Sequence, residues 1–337
     1  MPKKFKVVSL GKMGTGGLTL EENEFAKAGL DVELVAGRFN SEDEMIAGAA
    51  DADAFLGAGR FLTPRVMAAL PKLQIIATYS VGFDTIDLDA AVKNQIIVVN
   101  NPAVEWCVEE VSNHALSLLL ACAKKLTRLN DLVKQGRWAD TRQIMPPTQP
   151  VHGQTLGIIG CGNIGRMVAR KAAVFGLNIL GYDPYVKKSV AMSSGVALTE
   201  LPVLLREADF VSLHTPLNNE TRHLIDSNIF HQMKPTAFFI NTARGPCVDE
   251  PALIKALQNK MLAGAGLDVF EKEPIDPANP LLKMDNVIVL PHSASYSDEA
   301  LRVQGINPSQ EIARVLSGHL PNNAVNPGVK PKAELKK

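Results

Sequence analysis

Thr155-Leu-Gly-Ile-Ile-Gly160-Cys-Gly162-Asn-Ile-Gly165, answered by Asp183 at the end of a second apolar run, Leu177-Asn-Ile-Leu-Gly-Tyr182, decides the fold. The first run is short and apolar, as a buried parallel strand is. A helical pattern (Ile164, Val168, Ala169, Ala172, Phe175) begins inside the glycine cluster, and the second run ends on an acid. Strand, glycine turn, helix, strand, acid is the context that a dinucleotide-binding G-x-G-x-x-G requires. Gly160 permits the tight turn, Gly162 lets backbone approach a pyrophosphate, and Gly165 lets the helix pack on the sheet. With Asn163 and Ile164 these residues place free N–H groups at a helix start, where an anion is attracted. Asp183 suits a ribose diol and repels a 2′-phosphate, so the expected cofactor is NAD(H) in preference to NADP(H).

Composition narrows the remaining classes. The 337 residues suit two domains, and 46% hydrophobic with 21% charged residues describes a globular chain. Lys+Arg and Asp+Glu stand at 35 each, so no net field draws the chain to nucleic acid or an anionic membrane. Cys107, Cys122, Cys161 and Cys247 have neither metal-ligand spacing nor a disulfide framework. No metal site is expected, and a cytoplasmic location is. The opening MPKKFKVVSL reads as a strand start, too short and too polar for a signal peptide. No apolar stretch approaches membrane-spanning length.

The first hundred residues alternate strands (FKVVSL, DVELVAG, AFLGA, LQIIATYS, IIVVNN) with helical patterns at 21–28, 41–49, 64–69 and 88–93. One long helix is expected from 108 to 135, ended by Gly136, with an apolar face wider than a single contact needs (Val111, Ala115, Leu118, Leu119, Cys122, Leu126, Leu129). Residues 155–292 alternate again, and a helix from 298 to 316 returns to the first unit. The fold class is therefore α/β, with two doubly wound parallel-sheet domains: a Rossmann-type NAD domain (103–296) inserted in a flavodoxin-like domain (1–102 plus 297–337). The closing GVKPKAELKK, rich in charge, is expected to be disordered.

Ligands bind beyond the carboxyl ends of parallel strands, so the strand exits list the site. In the second domain they carry His214-Thr215-Pro216, Asn241-Thr242-Ala243-Arg244-Gly245, Asp268 with Glu273, and His292. Arg244 suits a substrate carboxylate and the oxygen of a reacting carbonyl. Hydride arriving at that carbon requires a proton at its oxygen, and the imidazole of His292 is the group suited to neutral pH. Glu273 beside it would favour the imidazolium. The small residues Thr242 and Ala243 allow close approach to a ligand. His214 is read as packed or backbone-bonded rather than as a second acid. Asp268 either contacts a nicotinamide carboxamide or caps the loop after its strand.

The chain resembles the D-isomer-specific 2-hydroxyacid dehydrogenases, a group holding phosphoglycerate dehydrogenase, glyoxylate/hydroxypyruvate reductase, D-lactate dehydrogenase, formate dehydrogenase and the C-terminal-binding corepressors. The resemblance is carried by SVGFDTIDL, VEEVSNHALSLLLA, TLGIIGCGNIGRMVA, SLHTPLNNETRHLI, NTARGPCVDEPAL, AGAGLDVFEKEP and NVIVLPHSASYS. It implies that Arg244 binds substrate, that His292 is the acid/base and that Glu273 pairs with it. It implies cofactor contacts at the glycine turn, Asp183, His214, Thr215, Pro216, Thr242, Ala243 and Asp268. Ser80, Val81 and Gly82 would offer backbone N–H groups to the substrate carboxylate, making the first domain the substrate domain, hinged near Asn101 and Tyr296. The long helix would build a homodimer, which would account for its wide apolar face.

Departures are informative. His292 is followed by Ser-Ala-Ser-Tyr296-Ser, which with VEE before the long helix is most similar to the corepressor-type branch. The aromatic residue usual in that branch is replaced by Ser295. Trp106, read on the loop before the long helix, is a candidate for that space or for hinge packing, and Arg60 for a second anionic group or the plain surface. Three functions are compatible: an NAD-dependent 2-keto acid reductase acting on a small 2-keto or 2-hydroxy acid, an NAD(H)-sensing scaffold that binds peptides, and a formate- or phosphite-type dehydrogenase. Formate dehydrogenases usually carry glutamine where Glu273 stands, which favours keto-acid reduction.

Overall fold

The computed structural model describes residues 4–11, 18–59, 61–101, 104–144, 148 and 150–336; Arg60 lies outside them. The chain forms two compact units, Met1–Cys107 with Ser297–Lys337, and Val108–Tyr296. The first boundary falls within the first turn of a long helix that begins at Val104.

Unit 1 holds strands β1 (Phe5–Ser9), β2 (Val32–Ala36), β3 (Ala54–Leu56), β4 (Ile75–Ala77) and β5 (Ile97–Val99) in one parallel sheet, ordered β2-β1-β3-β4-β5. Its helices are α1 (Thr19–Lys27), α2 (Glu42–Gly48), α3 (Pro64–Ala69), α4 (Leu88–Lys93) and α13 (Asp298–Leu316), with α5–α12 belonging to the intervening chain. Strand side chains alternate between two cores. Phe55 and Ile76 join Met45, Val66, Met67 and Ala91 of α2–α4, whereas Leu56 and Ile75 join Phe25 of α1 and Ile312 and Leu316 of α13. Helix starts are chemically specified: Ser41, Thr63, Asp87 and Ser297 each accept a hydrogen bond from a backbone N–H in the first turn.

The C-terminal segment corrects an expectation. It is ordered on unit 1, where Lys332 Nζ donates to Pro71 O (2.9 Å) and Leu73 O (2.8 Å) and Lys336 bridges to His319. Val329 and Leu335 pack on the sheet core, so two apolar residues set among the charges are enough to dock it.

Unit 2 holds β6 (Thr155–Ile159), β7 (Asn178–Tyr182), β8 (Ala197–Leu198), β9 (Phe210–Leu213), β10 (Phe238–Asn241), β11 (Gly264–Leu267) and β12 (Val287–Val289), all parallel, in the order β12-β11-β10-β9-β6-β7-β8. Its helices are α5 (Val104–Lys124), which starts at the end of unit 1, α6 (Leu126–Lys134), α7 (Thr141–Ile144), α8 (Asn163–Val174), α9 (Lys188–Met192), α10 (Leu201–Glu207), α11 (Ser227–Gln232) and α12 (Glu250–Gln258). Phe238 stacks on Phe210 of the neighbouring strand, with ring centroids 6.0 Å apart, in the core beneath α5 and α8. The next residue, Phe239, points to the opposite core and meets Phe230 of α11 edge to face at 5.7 Å. Such pairs add about 0.5–1.5 kcal/mol each beyond their buried area.

The expected single helix from 108 to 135 is two. Lys125 takes a left-handed conformation (φ 53°) and separates α5 from α6, while its Nζ donates to Ile144 O at 2.9 Å. The wide apolar face of α5 is largely consumed inside unit 2, since Val111, Ala115, Leu118, Leu119 and Cys122 are all buried. Glycine makes this close packing possible: a Cβ at Gly266 of β11 would lie 3.1 Å from Leu118 Cβ. Trp106 lies in the first turn of α5 rather than on a loop, and is 42% exposed.

Candidate active site

Every functional group expected in unit 2 lies at a strand exit, and backbone packing sets its position. At the end of β6, Gly160 has φ +92°, and a Cβ there would stand 2.7 Å from the backbone carbon of His214 at the end of β9. Gly165 is equally constrained, since its Cβ would fall 2.1 Å from Gly160 O. Gly162 differs: it has ordinary φ, and no described atom comes within 4 Å of where its Cβ would be. The protein's own packing therefore gives no reason for glycine at 162, and a ligand lying against the turn does. The first hydrogen bond of α8 runs from Arg166 N–H to Gly162 O (3.1 Å), leaving the N–H groups of Asn163, Ile164 and Gly165 at the helix start. Arg166, which the sequence reading missed, braces the turn by donating from Nη1 to Cys161 O (2.6 Å) and from Nη2 to Asn163 Oδ1 (2.8 Å). Its position three residues after Asn163 on a helix was the available signal.

Asp183 is fixed by the backbone. Its Oδ2 accepts from Cys161 N–H (2.8 Å), and its Oδ1 from the N–H groups of Tyr185 (2.8 Å) and Val186 (3.0 Å). A carboxylate offers about four acceptor sites, so one remains for a ribose hydroxyl. Cys161 beneath it is fully buried, and desolvation, with the Asp183 charge second, pushes its thiol up to about 12. That thiol is inert at neutral pH. His214 donates its backbone N–H to Ile159 O (2.7 Å), and its Nε2 pairs with Ser212 Oγ (2.8 Å). Desolvation of the ring pushes its pKa down to about 4, which favours the neutral imidazole. The hydroxyls of Thr215 and Thr242 are buried without a hydrogen-bond partner among the described residues. Buried polar atoms are nearly always satisfied, so two orphans at the exits of β9 and β10, to one side of the glycine turn, mark where ligand atoms fit. Open space at Gly162, free N–H groups, a fixed acid and two orphan hydroxyls fit a dinucleotide.

Beyond β10, the Asn241 side chain pins the next turn, accepting from Ala243 N–H (2.9 Å) and donating to Arg244 O (3.1 Å). The sequence reading gave Asn241 no role; an Asn at a strand end two residues before a turn was its signal. Gly245 brings this turn against the loop after β11, where a Cβ would overlap Phe270 O at 1.8 Å. That loop carries Glu273, whose Oε1 accepts from Phe270 N–H (3.0 Å) and whose Oε2 meets His292 Nδ1 at 2.7 Å. The carboxylate raises the His292 pKa; partial burial and the Arg244 guanidinium oppose it without cancelling it. In turn, burial pushes Glu273 up, but His292 and the Phe270 N–H outweigh it and hold the carboxyl below its usual range. With Nδ1 taken by the carboxylate, Nε2 is the nitrogen left to face a substrate.

His292 itself sits in the left-handed region (φ 54°), a conformation that costs free energy and is held by its surroundings. Asp268 provides the hold. Its backbone O accepts from His292 N–H (2.8 Å), and its carboxylate accepts from the N–H groups of Ser293 (2.9 Å) and Ala294 (2.8 Å). Burial raises the Asp268 pKa, but His114 and these two N–H groups together bring it below the ordinary value. His114 Nε2 stands 3.4 Å from Asp268 Oδ1. Of the two expectations for Asp268, cofactor contact or capping of a loop, the structure displays the second kind of role. Its side chain has no exposure, and its carboxylate shapes the loop that bears His292. No sequence spacing pairs His114 with Asp268.

In unit 1, Ser80, Val81 and Gly82 follow β4. Their carbonyl oxygens are engaged: Ser80 O accepts from Thr78 Oγ1 (2.7 Å) and Asn101 N–H (3.0 Å), Val81 O from Asn100 Nδ2 (2.9 Å) and Gly82 O from Ser80 Oγ (2.7 Å). No hydrogen bond leaves their own N–H groups among the described residues. The turn thus presents donors only.

Residues 116–294 match the family model for the NAD-binding domain of D-isomer-specific 2-hydroxyacid dehydrogenases. The chain belongs to this family. It is similar to a glyoxylate reductase of Korarchaeum cryptofilum, 43% identical over 77% of this chain and 78% of that one. A D-3-phosphoglycerate dehydrogenase of Methanocaldococcus jannaschii is 38% identical over 91% of this chain, which spans 57% of that longer relative. Among solved structures, the holo form of Rhodotorula graminis D-mandelate dehydrogenase matches with a TM-score of 0.85 at 25% identity, covering 99% of this chain and 100% of its own. Both parallel sheets are those of the family fold, and the protein is an NAD-dependent oxidoreductase of 2-hydroxy and 2-keto acids. Among the described residues no helix is long and apolar enough to cross a membrane, and no cluster of His, Cys, Asp or Glu could hold a metal ion.

Proposed function

We propose that the protein reduces a small 2-keto acid to the D-2-hydroxy acid with NADH, using Arg244, Glu273 and His292. The observation that carries this reading is the His292–Glu273 pair at 2.7 Å beside the Arg244 turn, on the sheet edge that also bears the glycine turn. Bound nicotinamide supplies the hydride. Arg244 forks onto the substrate and polarises its carbonyl. His292, kept protonated by Glu273, gives the proton from Nε2 to the developing alkoxide, and in the reverse direction takes it back. The donor-only turn of Ser80, Val81 and Gly82 suits the substrate carboxylate, which makes unit 1 the substrate domain. Gly162, Asn163, Ile164 and Gly165 hold the pyrophosphate and Asp183 the ribose, with Thr215, Pro216, Thr242 and Ala243 lining the cofactor. NAD(H) is preferred because the fixed Asp183 carboxylate repels a 2′-phosphate.

The working form on this reading is a cytoplasmic homodimer that binds no nucleic acid. Its dimer face includes Leu126 (54% exposed), Val133 (42%) and Trp138 (71%), apolar side chains of unit 2 left in solvent. Four cysteines with no disulfide, and a balanced charge, suit that setting. Oxidation of NADH followed at 340 nm against glyoxylate, hydroxypyruvate, pyruvate, phenylpyruvate, 2-ketoglutarate and 3-phosphohydroxypyruvate tests the function. Turnover with at least one short keto acid is expected; no turnover with any of them contradicts it.

A further inference from the structure

The topology of unit 1 has its own ligand crevice. In the order β2-β1-β3-β4-β5 the chain reverses direction across the sheet between β1 and β3, and the space beyond those two strand ends is where such sheets take ligands. Here a side chain of the protein fills it. The Tyr79 ring, from the end of β4, lies against Gly11 after β1 and Gly57 after β3. A Cβ at either glycine would stand 2.9 Å from Tyr79 Cε2. Gly57 is held at φ +91°, and its Cβ would also lie 3.3 Å from Gly11 N. Both glycines therefore serve to seat the ring.

The ring is anchored through its hydroxyl, and the backbone that carries it is held as well. Its hydroxyl pairs with Ser9 Oγ at 3.0 Å, and the Tyr79 carbonyl accepts from Asn101 Nδ2 at 3.2 Å. The side chain, partly buried, packs against the core that includes Val7, Leu56 and Ala77. Burial pushes the phenol pKa upward, so the hydroxyl remains a neutral hydrogen-bonding group throughout the working pH range. Swinging the ring out would break the Ser9 bond and strip the ring from this packing.

We propose that Tyr79 is the specificity-determining wall of the substrate site, restricting it to 2-keto acids that carry hydrogen, methyl or hydroxymethyl on the keto carbon. This rests on the reading that Ser80, Val81 and Gly82 take the substrate carboxylate. With the carboxylate held on the residues directly after Tyr79, the remainder of the acid meets the crevice that the ring occupies. A short side chain fits beside the ring, and a branched or aromatic one overlaps it.

Steady-state reduction of glyoxylate and phenylpyruvate by wild type, Y79A, Y79L and Y79F tests the proposal, with NADH affinity measured by fluorescence and folding by thermal melt. Wild type should strongly prefer glyoxylate. Y79A should raise the phenylpyruvate-to-glyoxylate ratio of kcat/KM about tenfold or more, chiefly through KM for phenylpyruvate, with NADH affinity unchanged. Y79L should give a smaller change of the same sign, and carries the test should Y79A not fold. Y79F keeps the ring, loses the Ser9 bond and should keep the wild-type ratio. A ratio within about twofold of wild type in both Y79A and Y79L, with both substrates losing in parallel, assigns the ring a supporting role for the 80–82 turn and overturns the proposal. Equal use of the two acids by wild type overturns it too. A wild type that reduces no keto acid of any size instead overturns the functional reading and this inference with it.

Discussion

The two sheets place a crevice at the same topological point and treat it oppositely. In unit 2 the ends of β6 and β9 touch backbone to backbone at Gly160 and His214, and the space beyond is left open, with Gly162 bare and the Thr215 and Thr242 hydroxyls unpartnered among the described residues. In unit 1 the ends of β1 and β3 also carry glycines, but these close on the Tyr79 ring. Glycine serves open space in one unit and a tyrosine in the other. Topology fixes where a ligand would bind; the side chains at the strand exits decide whether the place is vacant, and for what size of molecule.

Among the substitutions that test this contrast, the largest expected effect is at Arg244. Arg244→Ala should lower kcat/KM for keto-acid reduction by about 10²–10³, with loss in both kcat and KM, if the guanidinium serves binding and charge stabilisation together as proposed. A loss confined to KM would reduce Arg244 to a binding residue.

The glycine turn sharpens the contrast next. Gly160→Ala forces a side chain into the left-handed region and against backbone, so it should destabilise unit 2 by more than the about 1–2 kcal/mol of the backbone conformation alone. Gly162→Ala meets no described atom, so its melting temperature should stay close to wild type while NADH affinity falls. Equal melting losses in the two variants would remove the argument that Gly162 is reserved for a ligand.

Glu273→Gln moves the pH profile. If His292 is the acid, the rate of reduction falls as pH rises through the His292 pKa, which Glu273 holds above the ordinary imidazole value. Loss of the carboxylate should shift that inflection to lower pH, and the oxidation profile, which needs neutral His292, in the same direction. An unmoved inflection would show that another group controls the profile. Smallest is Thr242→Val: if the orphan hydroxyl meets cofactor, the loss of one neutral hydrogen bond weakens NADH binding by about 0.5–1.5 kcal/mol. An unchanged affinity would return Thr242 to plain packing.

Much of this was legible in the sequence. Short apolar runs between glycines and helical patterns reported both parallel sheets, since strands buried on both faces leave little else to read. Arg244, Glu273 and His292 were legible because strand exits in a parallel sheet can be found from the strands alone. What escaped was governed by contacts distant in sequence or by backbone geometry. His114 meets Asp268 across more than a hundred and fifty residues. The break at Lys125 depends on a left-handed residue that is not glycine, and on a carbonyl supplied by Ile144. The tail beyond α13 looked too polar to fold, yet Val329 and Leu335 dock it. The seat of Tyr79 escaped for the same reason, since Gly11 and Gly57, far from it in sequence, are shaped around its ring.

On the proposed mechanism His292, charged by Glu273, delivers the proton that accompanies hydride. That step is tested most directly by His292→Gln, with NADH binding and keto-acid reduction measured on the same preparation. NADH affinity should stay at the wild-type value while kcat falls by about 10²–10⁴. A variant that binds NADH and reduces the keto acid at the wild-type rate would contradict it.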